Sequence, residues 1–95
     1  MIFHLVSRSA WETGTGELVA APGREGFVHC CDEQQIDDVR LRYFLAEDEV
    51  VALAVDPTRL ASETRYERGS GGEGERFAHV YGGLRRDAVA WVCDC

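Results

Sequence analysis

One stretch constrains the fold more than any other: Val50-Val51-Ala52-Leu53-Ala54-Val55, six apolar residues in a row. The run has strand length and lacks the polar alternation of a half-exposed strand, so it reads as a central strand. Shorter elements can be placed around it. Ile2 to Val6 is a second apolar run, suited to a buried strand. Ser7 then offers an N-cap to a short helix carrying Trp11, which Gly14 and Gly16 terminate. Residues 20–26 hold Pro22, Gly23 and Gly26 and read as a turn-rich connector. Phe27 to Cys30 forms another strand, and Asp32 followed by Gln35 imitates a capping box. Ile36, Val39, Tyr43 and Phe44 recur at helical spacing and predict one principal helix over about 32–46.

Glu47-Asp48-Glu49 reads as an acidic turn ahead of the central strand. Beyond that strand, Asp56-Pro57 opens a single helical turn, and Thr64 to Glu67 forms a short strand. Gly69 to Gly74 is too rich in glycine for regular structure and predicts a mobile loop. No lysine follows it, so it is no phosphate-binding P-loop. Phe77 to Tyr81 and Ala88 to Cys93 supply the last strands. The order strand, helix, strand, helix and then mostly strands predicts a single compact α+β domain over residues 1–95 with short helical turns.

Composition narrows the chemistry. Ninety-five residues can build one core, and 45% apolar residues with two prolines describe a chain that folds. All ten basic residues are arginine, so Schiff-base lysine chemistry is excluded. A formal charge of −7 disfavours duplex nucleic acid as a partner. The acidity is uneven, however. Residues 1–50 hold ten acids and four arginines, whereas residues 51–95 hold seven acids and six arginines. The nearly neutral second half remains compatible with an anionic ligand. The chain opens without a basic segment, and no run approaches the ~18 apolar residues of a membrane helix, which together predict a cytoplasmic protein. Cys30-Cys31 and Cys93-x-Cys95 match neither zinc-knuckle spacing nor a disulfide framework, and Cys30 reads as a small buried hydrophobe.

Histidine is more informative. There are three, and each falls inside a candidate strand. Alternation puts His4 with Ile2 and Val6, His29 with Phe27, and His79 with Phe77 and Tyr81. Buried imidazole needs hydrogen-bond partners, and paired strands can bring such residues together, so a shared site is expected. It could be a pocket whose imidazoles bind a polar small molecule, or a three-histidine metal site; the absence of H-x-H or H-x-x-x-H spacing favours the pocket. In Arg65-Tyr66-Glu67, Arg65 and Glu67 share a face. They read as a surface ion pair or as an anion-binding arginine beside a general base. Trp11 suits either the core or a pocket rim.

Ile2-Phe3-His4, Trp11, Glu25-Gly26-Phe27-Val28-His29-Cys30 with Gln35, Arg65-Tyr66-Glu67 and Phe77-Ala78-His79-Val80-Tyr81-Gly82 occur in an order that resembles the DUF952 family of small bacterial proteins. Cys31 stands where that family usually has serine, and Ala78 and Gly83 replace prolines. The resemblance implies an ADP-ribosyltransferase-like fold, with a split, mainly antiparallel sheet and a cleft able to hold NAD or a related nucleotide. It implies an enzyme of the NAD-dependent ADP-ribosyl-transfer or RNA 2′-phosphotransferase-like class, or a relic of one. His4 would contact the ribose or nicotinamide end, and Glu67 would be the carboxylate that stabilises an oxocarbenium-like state. His29, His79 and Tyr81 fall on the family's motifs. The expected site thus comprises His4, His29, Glu67 and His79 as catalytic residues, with Trp11, Arg65 and Tyr81 as ligand-binding residues. The alternatives are a non-catalytic module for a nucleotide or other small polar ligand and, third, a His-ligated metal site.

Overall fold

The computed structural model describes residues 1–47, 49–68 and 74–95. Strand β1 (Ile2–Ser7) leads directly into helix α1 (Arg8–Thr13), whose first turn is capped by the Ser7 hydroxyl accepting from the Ala10 amide. Strands β2 (Leu18–Ala20) and β3 (Val28–His29) follow, then a 3₁₀ turn (Glu33–Gln35) and helix α2 (Ile36–Tyr43). Strand β4 (Val50–Val55) is followed by a 3₁₀ turn at Pro57–Arg59, then β5 (Thr64–Arg68) and β6 (Arg76–Val80). Strand β7 (Leu84–Arg85), a 3₁₀ turn (Arg86–Ala88) and β8 (Val89–Asp94) complete the chain. No helix among the described residues is long and apolar enough to cross a membrane.

The Val50–Val55 run is central in the literal sense. β4 lies between β1 and β8, antiparallel to both. Because side chains alternate along a strand, Val51, Leu53 and Val55 enter one apolar cluster while Val50, Ala52 and Ala54 enter another. All six are buried. The first cluster meets Val28, Ala78, Val80 and Leu84 from the remaining strands, and the second is closed by Ile36, Val39 and Phe44 around α2. The result is an α+β domain built from antiparallel sheets with one principal helix.

A second three-stranded sheet runs in the order β3-β6-β5, and β2 pairs with β7. The expected strand at 27–30 is regular only at Val28 and His29, because the chain there changes sheets. Cys30 still donates its amide to Ala78 of β6 at 2.9 Å, whereas Cys31 exchanges hydrogen bonds with Phe3 of β1 at 2.7 and 2.8 Å. The cleft lined by the histidines forms at this crossing.

The helix expected over about 32–46 is shorter. Gln35 accepts the Asp32 amide through Oε1 and donates through Nε2 to the Arg76 carbonyl, so the buried amide ties a 3₁₀ turn to β6 before α2 begins. At the other end the Arg40 guanidinium donates to the Phe44 and Glu47 carbonyls and closes the helix at Tyr43. β2 and β7 are strands that the sequence pattern does not announce, since two or three residues are too few to show a period. The turn before β7 needs its glycine: a Cβ on Gly82 would lie 2.5 Å from that of Ser62. The glycine-rich segment, over 69–73, and Asp48 of the acidic turn lie outside the described residues.

Candidate functional site

Strands from two sheets deliver the three histidines to one place. His4 on β1, His29 on β3 and His79 on β6 all line a cleft of about 730 Å³. That volume lies within the range of about 300–1,000 Å³ found for small-molecule sites. His29 and His79 are direct partners across the antiparallel ladder, with ring centroids 5.6 Å apart. His4 reaches them through the sheet crossing, where the Phe3–Cys31 bridge holds β1 against the end of β3. Phe3, Leu5, Val28 and the two adjacent cysteines supply apolar wall, and α2 closes the opposite side with Val39, Arg42, Tyr43 and Phe44.

Each imidazole is oriented by an oxygen that can only accept. His4 Nδ1 donates to the His29 carbonyl at 2.8 Å, which leaves Nε2 to a ligand. Burial and the neighbouring His29 ring lower the His4 pKa, while its bond to the His29 carbonyl opposes that shift; the balance favours the neutral ring, in which Nε2 is an acceptor. His29 Nε2 donates to Glu25 Oε1 at 3.1 Å and leaves Nδ1. His79 Nδ1 donates to Glu67 Oε1 at 2.9 Å. His79 is 3% exposed, and its Nε2 is buried without a partner among the described residues. Phe27 stacks on the His79 ring at 3.9 Å between centroids and meets His29 edge-on at 4.9 Å.

Glu67 stands behind His79 and is not part of the cleft wall. Its Oε1 accepts from the Tyr81 hydroxyl at 2.5 Å as well as from His79. These two hydrogen bonds, Tyr81 first, hold its carboxyl below the usual range, and the same bond raises the Tyr81 pKa. Arg65 lies over the Tyr81 ring, 4.6 Å from its centroid, and pairs with Glu63 at 3.0 Å. Arg65 therefore supports the Glu67–Tyr81 side of the site and does not line the cleft. Trp11 is elsewhere, in a smaller cavity of about 140 Å³ with Arg86 5.2 Å from its ring centroid.

Four features of the cleft were not singled out from sequence: Glu25 as the partner of His29, Phe27 as the lid on His79, and Arg42 and Glu75 in the lining. Glu25 sits four residues before His29, a readable spacing, but Arg42 and Glu75 reach the cleft only through tertiary packing. The lining thiols are poor nucleophiles, because burial pushes Cys30 and Cys31 up to about 12. Among the described residues, no group of three or more His, Cys, Asp or Glu side chains is arranged to hold a metal ion.

Comparison with known proteins adds a family and a fold. The family described as "Protein of unknown function (DUF952)" matches residues 5–92. The crystal structure of protein CC0527 from Caulobacter crescentus is similar, with a TM-score of 0.79 and 25% identity over 98% of this chain and 83% of that one. A double-methionine variant of CC0527 superposes with a TM-score of 0.78 at 24% identity, with the same coverage. No curated protein matches the chain.

Proposed function

The chain belongs to the DUF952 family, and we propose that its histidine-lined cleft binds a nucleotide-type ligand and serves NAD-dependent transfer of the ADP-ribosyl class, with NAD as a substrate. An ADP-ribosyltransferase-like fold is part of that proposal. The observation that carries it is the convergence of His4, His29 and His79 on one cleft, each with one ring nitrogen pinned by an oxygen and the other left to a ligand. Aromatic wall at Phe27, Phe44 and Phe77 suits a flat heteroaromatic ring.

In such a transfer the bond between nicotinamide and ribose breaks. The bonding pair stays on the ring nitrogen, and nicotinamide leaves as a neutral molecule. An acceptor hydroxyl then attacks the ribose carbon and must lose its proton. His79 Nε2 is the group equipped to take that proton, while ionised Glu67 fixes the tautomer through Nδ1 and stabilises the imidazolium that results. Glu67 thus acts through His79, as a positioning residue.

Binding without turnover is the second reading, and one observation favours it: Glu67 lies behind the cleft wall, its Oε1 shared by His79 and Tyr81. Incubating the protein with millimolar NAD and following free nicotinamide over hours separates the two. Release that His79→Gln abolishes supports transfer; thermal stabilisation by NAD without release supports binding alone. If millimolar NAD perturbs no amide near His4, His29 or His79, both readings fall.

A further inference from the structure

Charge and hydrogen-bond polarity in the cleft say which part of a nucleotide it can hold. We propose, resting on the nucleotide-type reading above, that the cleft takes an uncharged or cationic nucleoside end presenting N–H and O–H donors and turns away phosphate. The acceptors come first. One nitrogen of each ring is committed to an oxygen, which leaves His4 Nε2, His29 Nδ1 and His79 Nε2 to face a ligand, each a lone-pair acceptor in a neutral ring. The His79 atom is buried with no partner among the described residues, so a ligand donor there would satisfy an otherwise costly group.

The charges point the same way. Glu25 and Glu75 both line the cleft. Arg42 is the one arginine among the described residues that line it, and it is shared with Asp38 at 3.5 Å. Arg65, which could have met a phosphate, is held outside by Glu63 and Tyr81, and Arg76 donates to the Tyr66 carbonyl. Three backbone donors of the wall are spent too. The amides of Phe3, Cys30 and Cys31 are bonded to Cys31, Ala78 and Phe3 carbonyls, so none of the three is free to cradle an oxyanion. A phosphate placed here would lose its water shell and face acceptors and carboxylates in return. A nucleoside brings hydroxyl or amino donors to the same atoms, and in a larger nucleotide the phosphates stay outside the cleft.

The test is calorimetric titration at pH 8 and constant ionic strength with nicotinamide riboside, adenosine, their 5′-monophosphates and NAD. Each nucleoside is expected to bind at least about tenfold more tightly than its monophosphate, since a desolvated like-charge contact costs at least that factor. The double substitution Glu25→Gln with Glu75→Gln is expected to narrow the gap. A monophosphate that binds as tightly as its nucleoside overturns the charge selectivity and leaves the nucleotide reading standing, as does an unchanged ratio in the double variant. Absence of binding by all five compounds overturns both.

Discussion

Leu53→Ala tests whether the strand that organises the domain is its energetic centre. Leu53 is inaccessible to solvent, lies mid-strand in β4 and is paired with His4 on one side and Val92 on the other. The truncation removes three carbons from the cluster that includes Val51, Val55, Val80 and Leu84. At ~0.8 kcal/mol per buried methylene the lost transfer energy is about 2.4 kcal/mol. Flanking strands on both sides keep the gap from closing, so a cavity term brings the cost to about 3–4 kcal/mol. With a urea m-value of about 1.5 kcal/mol/M, the midpoint should fall by about 2–3 M at constant m. The melting temperature should drop by about 12–32 °C for a domain of this size. Leu45→Ala is the control: that leucine is 76% exposed, and its loss should cost less than about 0.5 kcal/mol. A Leu53→Ala cost below about 1 kcal/mol, or one equal to the control, would refute the placement of β4 at the core.

The remaining expectations concern single groups. Gln35→Ala removes the partners of the Asp32 amide and the Arg76 carbonyl; it should cost about 1–3 kcal/mol in urea unfolding, and a neutral result would deny the amide its linking role. Because the folded pKa of His4 lies below its ordinary value, the unfolded chain protonates first. Stability should be complete above about pH 6.5 and decline as pH falls from there through the folded pKa. His4→Gln should remove that part of the slope; melts at closely spaced pH values would show whether it does. Native thiol labelling near pH 8 should reach exposed Cys95 first and leave buried Cys30 and Cys31 unmodified until the chain is unfolded. Early modification of Cys30 or Cys31, read by peptide mapping, would contradict their burial.

The sequence alone determined the parts of this protein that depend on nearest neighbours and on period. An unbroken apolar run can only be buried on both faces, and Val50–Val55 became the middle strand. Ser7 capped α1, Phe27 fell beside His29, and Phe77 and His79 came to line the same cleft, because alternation along a strand is a local property. That three strand histidines would meet was an inference from the partners buried imidazole needs. Which partners they took was decided only by tertiary structure. Cys31 pairs with Phe3 across 28 positions of chain, and that bridge sets His4 against His29. Glu67 and Arg65 share a strand face with no sign in their spacing that Tyr81 would turn both away from the cleft. Trp11 could have served a core or a rim, and its side chain settled against Arg86 in a separate cavity. Local pattern chooses the face a residue lies on; only packing of distant segments decides what faces it, and with that the charge and hydrogen-bonding character of the site.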